Sequence, residues 1–132
     1  MGHTLKLAAL GALAFMVLDG VWLGLLMKGF YRAQLAPIVR LADGGIAPNW
    51  PAALVVYALL GAGIALFVIP RALTVSAAAA YGALFGLVVY GVYDFTNYST
   101  LRQWPFVLTL ADVAWGAVAS SACAVAVRMV AR

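Results

Sequence analysis

No glutamate occurs in the 132 residues, and histidine and cysteine occur once each. Because His3 sits at the terminus, a histidine-based catalytic triad and a histidine-rich metal site are both excluded. Cys123 has no partner for an intramolecular disulfide or a thiolate metal motif. Its place in the small-residue stretch Ala119 to Ala126 suits helix packing. Ser99, Ser120 and Ser121 have no base near them in sequence, and no glycine-rich phosphate loop is present. No cofactor is implied. Charge is also scarce, at 9% of residues, against roughly 25% in soluble domains. Eight Lys and Arg outnumber four acids, giving a formal charge of +4. The cations are scattered near the ends of apolar segments, where they anchor helices beside lipid headgroups, so no nucleic-acid partner is expected.

What remains is grease. Hydrophobic residues make up 67% of the chain. Four runs, near 5 to 27, 52 to 70, 74 to 96 and 105 to 127, approach or exceed the length of about 20 residues that spans a hydrocarbon core. Nothing alternates with period two, which argues against barrel strands. Pro51, Pro70 and Pro105 fall at segment ends, where a missing amide hydrogen is harmless. The N-terminus imitates a secretory signal, but its apolar stretch continues to Met27, which is too long for one. The expectation is an all-α polytopic protein of the bacterial inner membrane, one four-helix domain over residues 1 to 132 surrounded by membrane lipids.

The first connection is long, and in "KGFYRAQLAPIVRLADGG" Tyr31, Leu35 and Ile38 recur at helical spacing beside Lys28 and Arg32. This predicts a short interfacial helix between the first and second spans, bent at Pro37 and stopped by Gly44 and Gly45. A plain extension of the first span is the alternative. Small residues four apart, at Gly20 and Gly24, Gly61 and Ala65, Gly82 and Gly86, Gly116 and Ser120, let helix backbones approach in lipid and offer faces for a homodimer.

With alternating directions, the termini share one side and the first and third connections the other. Asp19 then lies roughly 12 Å inward from the loop side, and Asp112 at similar depth. Asp94 falls in the last turn or so of the third helix. Three of the four acids therefore share the loop-side half, with all four tryptophans. Trp50 and Trp104 suit an aromatic belt. Trp22 and Trp115 are deeper, each three residues after an aspartate and so on its face of the helix. Tyr90, Asp94 and Asn97 form one stripe of the third helix. Orientation is left open, because Lys6, Arg71, Arg128 and Arg132 balance Lys28, Arg32, Arg40 and Arg102. Asp43 and the long loop favour termini in the cytoplasm.

Intramembrane acids mark function by default, although three carboxylates can also serve as glue that fixes helix register. Crowded in low dielectric they cannot all stay charged, so at least one is expected to hold a proton or pair with Arg102, Arg32 or Lys28. An all-oxygen metal site has no supporting motif. The order "LDGVWLG", "FYR", "NWPAAL", "YGALFGLVVYGVYDFTNYSTLRQWP" and "LADVAWG" resembles a family of small bacterial four-helix membrane proteins catalogued as a domain of unknown function. The resemblance covers nearly the whole chain, and Tyr93 to Asn97 with Leu101, Trp104 and Pro105 is its most specific part. It implies the membrane fold and supplies no activity. The residues themselves suggest a pocket with Asp19, Asp94 and Asp112 as its ionisable groups, Tyr93, Thr96 and Asn97 as hydrogen bonders, and Trp22 and Trp115 as walls. Binding or translocation of a small or amphipathic ligand is the leading expectation. A membrane enzyme acting on lipid or isoprenoid groups and a structural subunit are the alternatives.

Overall fold

The computed structural model describes residues 1–131. Arg132, counted above among the cations on the side of the termini, lies outside the described residues. Helix α1, Gly2–Val21, runs on through a π-helical turn, Trp22–Leu26. Helix α2 is Lys28–Leu35, and a small hairpin follows, β1 Leu41–Ala42 with β2 Gly45–Ile46. Helix α3, Trp50–Gly63, continues through a π turn, Ile64–Val68, and a 3-10 turn, Ile69–Arg71. Helices α4, Val75–Thr100, and α5, Phe106–Val130, complete the chain. Counted with their continuations, four elements are long and apolar enough to cross a bilayer: Gly2–Leu26, Trp50–Arg71, Val75–Thr100 and Phe106–Val130. The fold is all-α and polytopic, with α2 as the short helix between the first and second spans.

Local chemistry explains the boundaries. Asn49 caps α3 by accepting the Ala52 N–H at 3.2 Å, with Pro51 in the first turn where its missing donor is not needed. Thr74 caps α4 in the same way, accepting from the Ala77 N–H at 3.1 Å. That helix runs four residues beyond the boundary near 96 expected from hydropathy. The Ser99 and Thr100 hydroxyls donate back to the Thr96 carbonyl at 2.8 and 2.9 Å, so polar side chains sustain the last turn where apolar ones run out. Asp94 accordingly stands six residues, about 9 Å, inside the helix end rather than in its last turn.

The amphipathic segment also departs from expectation at its end. Helix α2 closes at Leu35, whose carbonyl accepts from Ile38 and Val39 at 2.9 and 2.8 Å around the donorless Pro37. Asp43 and Gly44, with φ of 49° and 77°, form the turn of the β1–β2 hairpin, in which Leu41 pairs with Ile46. An Asp-Gly pair suits a two-residue turn with both φ positive. Gly44 thus turns a hairpin; it does not end a helix.

Helices α4 and α5 pack along most of their length, α1 packs on α3, and contacts of α1 and the Ile64–Val68 turn with α5 join the two pairs. Glycine makes these approaches possible. A Cβ on Gly86 would overlap the Gly116 carbonyl, one on Gly82 would lie 2.6 Å from the Ser120 carbonyl oxygen, and one on Gly61 would overlap the Ala8 backbone. Gly20 and Gly24, by contrast, have nothing within 4 Å. Small groups such as Ala119, Ser120, Cys123 and Ala124 are buried at the centre, while Leu13, Leu54, Leu84, Val88 and Val118 point outward. Large apolar side chains outside and small ones at the helix contacts suit packing in lipid, where burial of grease drives nothing.

Candidate functional site

The loop-side half is organised around two identical dipeptide spacings, Asp19 with Trp22 on α1 and Asp112 with Trp115 on α5. Three residues apart on a helix, each acid and indole share a face. The two indoles lie flat on each other, centroids 4.4 Å apart and planes 1° from parallel. Trp115 donates its Nε1–H to Asp19 Oδ1 at 2.8 Å. Trp22 donates its Nε1–H to the Tyr31 hydroxyl at 3.0 Å, and that hydroxyl donates to Asp112 Oδ1 at 2.5 Å. Each helix therefore serves the carboxyl of the other, one directly and one through a phenol. The edge bonds hold the two rings in a parallel stack, one of the arrangements that aromatic pairs prefer when offset.

Two backbone features bring the parts together. The π turn that begins at Trp22 closes with a bond from the Met27 N–H to the Trp22 carbonyl at 2.7 Å and widens the end of α1 beneath the indole stack. Helix α2 then turns its buried Tyr31 inward. Burial, with the Asp112 carboxylate second, raises the Tyr31 phenol above its ordinary range, so it stays a protonated donor at any physiological pH. Tyr57 of α3 stands beside Asp19.

Under this clasp is a cavity of about 400 Å³, within the range of small-molecule sites. Asp19, Asp112 and Trp115 form its polar wall with Tyr31, Tyr90 and Tyr93, and Leu23, Val56, Leu60, Val89 and Leu108 line much of the rest. A more open depression of about 650 Å³ adjoins it nearer the loops, lined by Asn97, Arg102, Gln103 and residues of the α2 segment. Leu35, Val39, Tyr93 and Trp104 belong to both and form the partition between them. The Tyr93 and Trp104 rings meet edge to face at 5.9 Å, and the Trp104 indole N–H is held by Thr109 Oγ1 at 3.1 Å.

Asp94 is fully buried, and neither of its oxygens has a hydrogen bond of ordinary geometry. Its ionisable neighbour is Asp112, against which its carboxyl is turned. Burying a polar group without a partner costs about 1–3 kcal/mol, more for a charge.

The residues singled out in the sequence thus fall into four places. Asp19, Tyr93, Asp112 and Trp115 line the inner cavity. Trp22 backs Trp115, and Asp94 backs Asp112. Asn97 and Arg102 belong to the outer depression, and Arg102 is not part of the inner wall. The Thr96 side chain is exposed; only its carbonyl is engaged, by Ser99 and Thr100. Tyr31, Tyr57 and Tyr90 were not chosen as site residues. Tyr31 carried a signal, since a tyrosine on the apolar face of an amphipathic helix needs a partner for its hydroxyl. Tyr90 carried one in its stripe with Asp94 and Asn97, and in the structure Gly116 leaves room for its ring. Among the described residues no three His, Cys, Asp or Glu side chains are grouped to hold a metal ion.

The family model described as "Predicted membrane protein (DUF2177)" matches residues 4–129, and the chain belongs to that family. No curated protein and no solved structure matches it.

Proposed function

We propose that this member of the family is a protein of the bacterial inner membrane that binds a small or amphipathic ligand within the bilayer. The observation that carries the reading is the cavity of about 400 Å³ bounded by α2 and the four spans and lined by two acids, aromatic rings and aliphatic side chains together. Glue requires only contacts between helices, whereas Asp19 and Asp112 also face a cavity large enough for a small molecule. An enzyme acting on lipid or isoprenoid phosphates has less support, because no Lys or Arg lines the inner cavity to receive the phosphate. A carrier built from so few helices would work as a homodimer. Gly61, Gly82, Gly86 and Gly116 are spent on contacts within the chain, so the open faces at Gly20, Gly24 and Gly91 are the places where a second copy would approach.

Native mass spectrometry of the protein extracted from its own membranes tests the binding. A retained small molecule is expected in the wild type, and Leu23→Trp, which extends an indole from the cavity wall, should release it. Folded wild-type protein that carries no adduct, and that takes up no added amphiphile saturably, would overturn the reading.

A further inference from the structure

The cavity proposed above as a ligand site has a one-sided charge. Both ionisable acids on its wall, Asp19 and Asp112, belong to helices that cross the membrane, and no Lys, Arg or His shares the wall with them. Their donors are few and neutral: the Trp115 indole with the Tyr57 phenol for Asp19, and the Tyr31 phenol for Asp112. A carboxylate accepts through about four lone-pair sites, so most of the accepting capacity of the pair is unspent. Behind Asp112 the fully buried Asp94 adds a third carboxyl, outside the cavity lining and turned against Asp112. A protein interior keeps such groups only where something supplies what they lack.

The other walls narrow the choice. Tyr90, Tyr93, Trp104 and Trp115 surround the space with rings, which attract a cation to their faces as well as packing against hydrocarbon. Leu23, Val56, Leu60, Val89 and Leu108 offer no oxygen. A bare divalent ion needs six or more oxygen ligands, and among the described residues no three acidic, histidine or cysteine side chains are grouped to hold one. A phosphate or carboxylate headgroup would meet only like charge. We propose that the inner cavity takes a hydrophobic monocation, an alkyl- or arylammonium whose charged nitrogen sits at Asp112 and Asp19 and whose apolar body lies against the aliphatic wall. The inference rests on the ligand-binding reading above and names its substrate class.

The test uses three soluble probes with one apolar body and different heads: phenylbutylammonium, phenylbutanol and phenylbutyrate. Each is titrated by calorimetry into the full chain in nanodiscs of neutral lipid, with the heat of empty nanodiscs subtracted. The ammonium is expected to bind saturably and about tenfold or more tighter than the alcohol, as for a charge-assisted hydrogen bond, and the carboxylate not at all. Asp112→Asn should bring the ammonium down to the level of the alcohol while leaving the alcohol itself unchanged. Asp19→Asn serves the same purpose if the first variant does not fold. Alcohol and ammonium binding equally well to the wild type would overturn the cationic assignment and leave the ligand site standing. So would an ammonium preference that survives in both folded variants. Saturable binding of none of the three would overturn both readings.

Discussion

Replacing Tyr31 with phenylalanine removes one oxygen and leaves the ring. That oxygen accepts from Trp22 at 3.0 Å and donates to Asp112 at 2.5 Å, so a single atom joins α1, α2 and α5. The ring is 5% exposed, and phenylalanine preserves its packing. What is lost is two hydrogen bonds. Intramembrane bonds average about 0.6 kcal/mol and reach about 1.7 kcal/mol, so the substitution should destabilise by about 1–3 kcal/mol. Asp112→Asn removes the charge from the acceptor at the far end of the same bond. A double-mutant cycle between the two, read by reversible unfolding in mixed detergent and SDS micelles, should therefore give a coupling of about 0.6–1.7 kcal/mol. The indole stack offers a second reading. With the Trp22 N–H released, the parallel pair should relax, and near-ultraviolet circular dichroism should lose intensity. Additive effects within about 0.3 kcal/mol, with an unchanged aromatic spectrum, would show that the phenol does not link the helices and refute the argument.

Three further outcomes follow from the packing. Gly86→Ala should cost about 1–3 kcal/mol in the same unfolding assay, since its Cβ would overlap the Gly116 backbone; Gly20→Ala, in open space on a helix, should be neutral or stabilising by up to about 1 kcal/mol. Asp94→Asn should leave stability within about 1 kcal/mol, because asparagine keeps the size of the acid and an amide donor for Asp112; a loss of several kcal/mol on thermal or SDS unfolding would mean that the acid holds the bundle together. Cys123, buried with its thiol donating to the Gly11 carbonyl at 3.4 Å, should resist a membrane-permeant maleimide in folded protein and react after unfolding, with mass spectrometry counting the adduct. Fast labelling of the folded chain would place α5 elsewhere.

The spans were legible because four long apolar runs have few other uses, and the separation of α2 from α1 because its apolar residues keep a helical period while charges appear between them. The hairpin was less so. Asp43-Gly44 is a strong turn signal, but strands of two residues leave no alternation to read beside it. Among the candidate residues, the i, i+3 spacing on α1 and α5 tied each acid to an indole, yet nothing in the sequence said that the indoles of different helices would stack or that each would address the other helix's acid. Such pairings depend on the rotation of α1 about its axis, and the π turn at Trp22 is part of what sets it. Thr96 illustrates the opposite error: a polar residue beside Asp94 in sequence lies about 100° per residue around the helix, and at two residues it faces away. The meeting of Asp94 with Asp112 was invisible too, since a pairing of acids from two helices is a fact of three dimensions.

The bond from Trp115 to Asp19 spans 96 residues of chain, and this has a consequence for biogenesis. At translation rates of about 5–20 residues per second, α1 waits on the order of 5–20 s between the synthesis of its acid and that of the indole that will serve it. During that interval Asp19 has no tryptophan to meet from α5. Asp19 stands three residues before the π turn begins and seven before the span ends at Leu26, about 10 Å deep, and until the last helix arrives Tyr57 of α3 is the donor beside it. Insertion of α5 then brings the Trp115 indole to the carboxyl and closes the stack beside it. The final span thus completes the hydrogen bonding of the first, and a chain interrupted before Trp115 would leave Asp19 without its indole.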